Sequence, residues 1–206
     1  MNTLLIEPDN IIDRRTVVTG RQHTHLTQIQ RLAAGSSLKV GVINGRLGRG
    51  FITEIKDGQT SLELELTHSP PDPIPLTLVL ALPRPKMLRR ILQTVASMGV
   101  KCVHLVNAKR VEKSFWQSPS LEYQAIRNQF ILGLEQACDT ILPEIHLHPL
   151  FKPFVEDQLS ALMKGHTAYV AHPYSEYRCP VDLTEPSLLA IGPEGGFIPY
   201  EIEKLC

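Results

Sequence analysis

The sequence predicts an α/β protein: a parallel-sheet domain preceded by a small β-barrel-like domain. Three observations carry this. Residues 1–67 lack long helical periodicity and hold short alternating runs separated by glycine turns. HSPPDPIP, at 68–75, places four prolines in eight residues and cannot be a helix or a central strand. Beyond it, continuous apolar runs alternate with amphipathic ones, the rhythm of strand–helix–strand units. The reading divides the chain into domains at 1–72 and 73–206.

In the first domain the strand candidates are LKVGVI (38–43), GFITEI (50–55) and SLELELT (61–67). The last alternates apolar and polar residues, so it is expected to be half buried. AAGSS, NGRLGRG and KDGQT mark turns, and THLTQIQRLAAG (24–35) reads as a short helix closed by Gly35. In the second domain the expected strands are LTLVLALP (76–83), VKCVHLVN (100–107), EIHLHPL (144–150), TAYVAHP (167–173) and SLLAIGP (187–193). MLRRILQTVASMG (87–99), LEYQAIRNQFILGLEQAC (121–138) and PFVEDQLSALMKG (153–165) read as helices, and a last one begins after Pro199.

With 206 residues and 43% hydrophobic content, the chain suits a soluble globular protein. No apolar run reaches the ~18 residues of a membrane helix, and the N-terminus is not a signal peptide. Cys102, Cys138, Cys179 and Cys206 have no C-x-x-C spacing and read as reduced thiols of a cytoplasmic protein. The formal net charge is zero, but its distribution is uneven. Residues 1–50 hold seven Lys/Arg against three Asp/Glu, and residues 84–113 hold eight against Glu112 alone. Such segments suit a phosphate-binding face or, equally, solvated surfaces balanced by acids elsewhere.

Ligands of open parallel sheets sit beyond the C-terminal strand ends. Three ends are marked: LALPRPK, YVAHP and LAIGPEGG. In the last, glycines can bring backbone N–H groups close to a ligand, and the helix that follows offers more of them. GPEGGF does not match G-x-G-x-x-G, no G-K-[ST] follows, and Glu194 repels phosphate. The loop therefore cradles an adenosine or a cationic group, or it is a tight turn with no ligand. His172-Pro173 ends a strand in the same layer and reads as a site wall. The pairs His23/His25 and His146/His148 each face one side of a strand and could hold a metal, but no third ligand is evident. No metal is assigned. Phe115 and Trp116 beside Lys113 suit base stacking or packing. No catalytic residue can be named.

At LAIGPEGGF the chain resembles the SPOUT methyltransferases, specifically the bacterial family that methylates N3 of a uridine in small-subunit (16S) ribosomal RNA. NGRLGRGFI, LALPRPKMLRRILQTVASMGV, GLEQACDTILPEI, VAHP and IGPEGGFIPYEIEKL carry the likeness. The resemblance implies a PUA-like N-terminal barrel and an α/β domain with a C-terminal trefoil knot. It implies S-adenosylmethionine bound by Ala171, His172, Ile191, Gly192, Pro193, Glu194, Gly195 and Gly196, and a homodimer acting on small-subunit ribosomal RNA or the assembled subunit. Arg21, Arg46, Arg49, Arg84, Lys86 and Arg110 are the candidates for RNA contact. Three departures stand out. Ser97-Met98-Gly99 replaces an acid before "LGV", Asp139 replaces an arginine after the "EQ" pair, and no "LRTETA"-like threading segment follows, so the sequence is expected to be cut short. Two other readings stay open: a SPOUT enzyme for another RNA site, and a non-catalytic RNA-binding or ribosome-assembly protein.

Overall fold

The computed structural model describes residues 1–173, 175 and 177–206. The chain forms two compact units. The first comprises Met1–Asp72 with Ile131–Leu142; the second comprises Pro73–Phe130 and Pro143–Cys206.

The first unit is built on β1 (Leu4–Ile6), β2 (Arg15–Val18), β3 (Ser37–Val42), β4 (Leu47–Lys56) and β5 (Gln59–His68), in the order β1-β3-β4-β5-β2. β1 pairs with β3 in parallel, and the remaining pairs are antiparallel. Alternation on β5 buries Leu62 and Leu64, which join Leu4, Ile6, Val18, Leu26, Val40 and Ile52 in the core. KDGQT is a two-residue hairpin turn, with Asp57 and Gly58 both at positive φ (50° and 76°) and Lys56 paired with Gln59. The expected helix at 24–35 differs in place. α1 (Gly20–Thr24) continues as a π-helical turn over His25–Ile29, and Arg31 at φ 54° breaks it. Gly35, at φ 87°, lies instead in the turn before β3. β1 and β2 do not appear among the strands read from the sequence.

Residues 131–142 pack with the first unit, whereas the sequence reading places them in the second domain. Hydrogen bonding explains the placement. The Asn2 and Thr3 N–H groups donate to the Glu135 carbonyl (2.9 and 3.0 Å), Thr140 Oγ1 donates to Gly45 O (2.6 Å), and Leu142 N–H donates to Asn44 Oδ1 (2.9 Å).

The second unit holds β6 (Leu76–Ala81), α2 (Pro85–Ser97), β7 (Cys102–Val106), the start of α3 (Tyr123–Ala137), β8 (Glu144–His148) and α4 (Phe151–Pro153). A π-helical segment (Phe154–Gln158), α5 (Leu159–Leu162), β9 (Thr167–Ala171), β10 (Ser187–Ile191) and α6 (Pro199–Leu205) follow. All five strands are parallel, in the order β8-β7-β6-β10-β9. The central apolar runs are buried, as continuous hydrophobicity requires: Val79, Ala81, Val103, Leu105 and Val106 are each 0% exposed. α2 turns Leu88, Leu92, Val95 and Ala96 inward, a single helical stripe, and Gly99 at φ 86° stops it.

Candidate functional site

The strand order reverses between β6 and β10: β7 and β8 extend to one side, β9 to the other. Such a switch point opens a crevice beyond the C-terminal strand ends. Here those ends run into Arg84 after β6, Arg110 after β7, His172 after β9 and Gly192–Gly196 after β10.

The glycine loop is a tight turn, in which Gly196 N–H donates to Pro193 O (2.7 Å). Two positions demand glycine. A Cβ on Gly192 would stand 3.0 Å from the Phe197 nitrogen, because the loop folds back onto its own start. Gly196 sits at φ 74°, in the left-handed region. Phe197 is buried and anchors the loop. Arg110 lies over the turn: its Nη1 donates to Gly195 O, and more weakly to Gly196 O (3.5 Å).

Glu201 fastens the assembly from below. Its carboxylate is buried, with Oε1 accepting from Lys109 N–H (2.7 Å) and Oε2 from Ile198 N–H (3.0 Å). One side chain thus fixes both the segment after β7 and the entry to α6. The Ile198 N–H at the start of α6 is therefore satisfied within the chain, unlike the open N–H groups the sequence reading expected there.

A cavity of about 550 Å³ opens beside this loop. Arg110, His172, Pro173, Gly195, Gly196 and Phe197 line one part of it, and Pro199, Ile202 and Glu203 of α6 line the rest. Of the residues expected to hold cofactor, His172, Gly195 and Gly196 reach it. Ala171 and Ile191 end their strands, and Gly192, Pro193 and Glu194 shape the loop without lining the cavity. Phe197, Ile202 and Glu203 escaped the sequence reading, although the amphipathic start of α6 just after the glycines was a signal for them.

The basic candidates fall into different settings. Arg84 Nε is 3.1 Å from Glu194 Oε1, so one expected RNA contact and one expected cofactor contact neutralise each other. The Glu194 carboxyl is held below its ordinary value, first by its own backbone N–H and then by Arg84. Lys86 is exposed on the first turn of α2. Arg110 is the permanent cation of the cavity lining. In the first unit, Arg46 and Arg49 are exposed, and Arg49 stands directly across from Lys39 in the β3–β4 register. Arg21 is engaged otherwise: its two terminal nitrogens donate to both oxygens of the buried Glu135 (2.9 and 3.0 Å). That bidentate pair orients a guanidinium that is still about half exposed.

Trp116 Nε1 donates to Asn107 Oδ1 (3.1 Å), and both aromatics are half-buried, a packing role. His23 hydrogen-bonds Thr60 (2.9 Å) on α1, so the His23/His25 pair does not sit on a strand. Asp139 is buried and accepts from Ile141 N–H (3.0 Å), shaping a turn, while Ser97 and Met98 are exposed.

A parallel α/β unit with a ligand-sized cavity at its switch point, closed by a glycine loop, defines a class. The chain belongs to the RNA methyltransferase domain family, matched over residues 70–206. It is 32% identical over 157 residues to "Ribosomal RNA small subunit methyltransferase E" of Treponema pallidum (strain Nichols). That match covers 75% of this chain and 59% of the relative, so the chain spans under two thirds of the relative's length. Among solved structures, a ribosomal RNA small subunit methyltransferase E of Neisseria gonorrhoeae, bound to S-adenosyl methionine, superimposes with a TM-score of 0.74 at 15% identity. The match covers 100% of this chain and 85% of that one. A Legionella pneumophila protein assigned as a methyltransferase, solved with the same cofactor, gives 0.72 at 19% identity, covering 99% and 84%. At these identities the likeness is one of fold. No helix among the described residues is long and apolar enough to cross a membrane.

Proposed function

We propose that this chain is an S-adenosylmethionine-dependent ribosomal RNA methyltransferase acting on N3 of a uridine in the small-subunit RNA. The observation that carries the reading is the cavity against Gly195, Gly196 and His172 in a chain of this family. Its volume, about 550 Å³, suits a nucleoside-sized ligand.

The lining fits the cofactor. Phe197, Pro199 and Ile202 give apolar surface for an adenosine, the glycine turn brings backbone within reach, and the Glu203 carboxylate favours a cation such as a sulfonium. When bound, the cofactor supplies an electrophilic methyl group. The chain's own residues position and shield it: the 192–196 turn sets the wall, and the apolar part of α6 excludes water. Uridine N3 must shed its proton before it can be alkylated, and Arg110 is placed to stabilise the resulting anion. The Watson–Crick edge must be unpaired, so the substrate is single-stranded or flipped out.

The sheet of the first unit is read as a PUA-like barrel that holds RNA. The exposed Arg46 and Arg49 give it a cationic surface, although Glu65 stands directly across from Arg49. The placement of β10 between β6 and β9 accords with a SPOUT domain, in which a C-terminal knot and a homodimer are expected. A cytoplasmic enzyme acting on the small ribosomal subunit is the setting these readings give.

Transfer of labelled methyl groups to small-subunit ribosomal RNA by the protein, followed by nucleoside mass spectrometry, tests the proposal. N3-methyluridine is the expected product. A different modified nucleoside would overturn the site assignment, and no transfer despite cofactor binding would overturn the activity.

A further inference from the structure

The outer edge of the second unit's sheet carries a cluster that the methyl-transfer site does not use. Side chains alternate along a strand, so Cys102 and His104 of β7 share a face, as do Glu144, His146 and His148 of β8. The parallel register sets Cys102 across from Glu144, His104 across from His146 and Val106 across from His148. The sequence offered His146 and His148 with no third ligand; the register supplies two more candidates from the neighbouring strand.

The ligand atoms of Cys102, His104 and His146 all lie within 4.8 Å of one another. Tetrahedral zinc, with bonds of ~2.0–2.1 Å to nitrogen and ~2.3 Å to sulfur, spaces its ligands roughly 3.3–3.6 Å apart. Cys102 Sγ and His104 Nε2 are already at 3.4 Å. His146 is exposed and its ring stacks on that of His104 (centroids 4.6 Å), so coordination requires it to turn out of the stack. Groups that would orient these ligands are also present. His104 Nδ1 is 2.9 Å from His148 Nε2, and a proton on His104 Nδ1 leaves its Nε2 lone pair aimed toward Cys102. Glu144 Oε2 lies 3.8 Å from His146 Nε2. Phe154 packs against His148 at 4.6 Å between ring centroids and shields one side.

We propose that Cys102, His104 and His146 form a binding site for a zinc-class divalent transition metal that ties edge strand β8 to β7. Sulfur and imidazole donors select zinc, cobalt or copper over magnesium and calcium. The imidazole of His104 is neutral at pH 7, as a ligand must be, since burial lowers its pKa to about 4, with His146 and His148 adding to the shift. Burial, then Glu144, raises the Cys102 thiol. Metal binding therefore replaces the Cys102 proton, which leaves to solvent as the sulfur–metal bond forms.

Cobalt titration of the full-length, metal-free protein tests this, with absorption spectroscopy as the readout. One equivalent of cobalt is expected to give tetrahedral d–d bands and a thiolate-to-cobalt charge-transfer band, and zinc is expected to displace it. Cys102→Ser should abolish the charge-transfer band, and His146→Ala should weaken binding at least ~tenfold. A variant with Cys138, Cys179 and Cys206 all changed to serine should bind as the parent does. His146 is on an exposed edge, so its removal leaves the fold intact and far-UV circular dichroism unchanged. No thiolate band at millimolar cobalt, or a band that survives Cys102→Ser, overturns the proposal.

Discussion

Glu201 joins two stretches of chain that meet at the cavity, and its replacement should loosen both. Its carboxylate accepts from Lys109 N–H at 2.7 Å and from Ile198 N–H at 3.0 Å while 3% exposed. Hydrogen bonds to a charged acceptor contribute roughly 1.5–3 kcal/mol each. Glu201→Ala removes both, about 3–6 kcal/mol, offset in part because a buried charge is also removed. A net loss of about 2–4 kcal/mol is expected. Glu201→Gln keeps one acceptor oxygen but turns an NH2 group toward the other amide, so about half the loss is expected. Hydrogen exchange by mass spectrometry, on peptides covering 107–112 and 196–200, reads the effect locally. At 1.36 kcal/mol per tenfold, Glu201→Ala should speed exchange there by roughly 30-fold to several hundred-fold. S-adenosylmethionine affinity should fall in the same order, Ala below Gln below the parent. Exchange unchanged in Glu201→Ala, or equal effects from the two variants, would refute this reasoning.

The Glu194 carboxyl is held below 4.5, so its contribution to stability is present above 4.5 and lost as pH falls through its lower folded value. Carboxyl NMR titration should show Arg84→Ala raising that value only part of the way, because the backbone N–H remains; no change would remove Arg84 as a cause. Gly192→Ala places a methyl 3.0 Å from the Phe197 nitrogen and 3.1 Å from its Cδ2. A loss of about 1–3 kcal/mol in urea unfolding is expected, with weakened cofactor binding. Arg21→Ala strands the buried Glu135 carboxylate, for a loss of about 1–3 kcal/mol, reduced because Arg21 itself is half exposed. Arg21→Ala combined with Glu135→Gln should recover part of it, which thermal unfolding will show.

Much of the second unit was legible because its central strands are buried runs and two of its helical stretches end at glycines. Gly99 and Gly165 both sit at positive φ where the periodicity stops. β1 and β2 were not legible: three and four residues are too few to establish a period, and β1 gains its place from pairing with β3, far along the chain. The end of the first helix was misread because Arg31 adopts the left-handed conformation that sequence rules assign to Gly35. In the candidate site, GPEGG announced itself through glycine chemistry. Glu201 was legible only in part: an acid three residues into a helix marks a local cap, but its other partner is an amide 92 residues away. The ion pair of Arg21 was equally invisible, since its partner Glu135 lies 114 residues on.

The order β8-β7-β6-β10-β9 also governs how the protein is made. β9 is hydrogen-bonded to β10, which in turn lies against β6. A ribosome delivers β9 first, when its place in the sheet does not yet exist. β6, β7 and β8 can assemble as they emerge, but Thr167–Ala171 must wait, unpaired, until Ser187–Ile191 has been synthesised and has found β6. During that interval a nascent chain presents an open β6 edge and a strand without a partner, the condition under which chaperones are recruited and aggregation competes. The cavity shares this delay, since His172 and the glycine loop that border it follow β9 and β10.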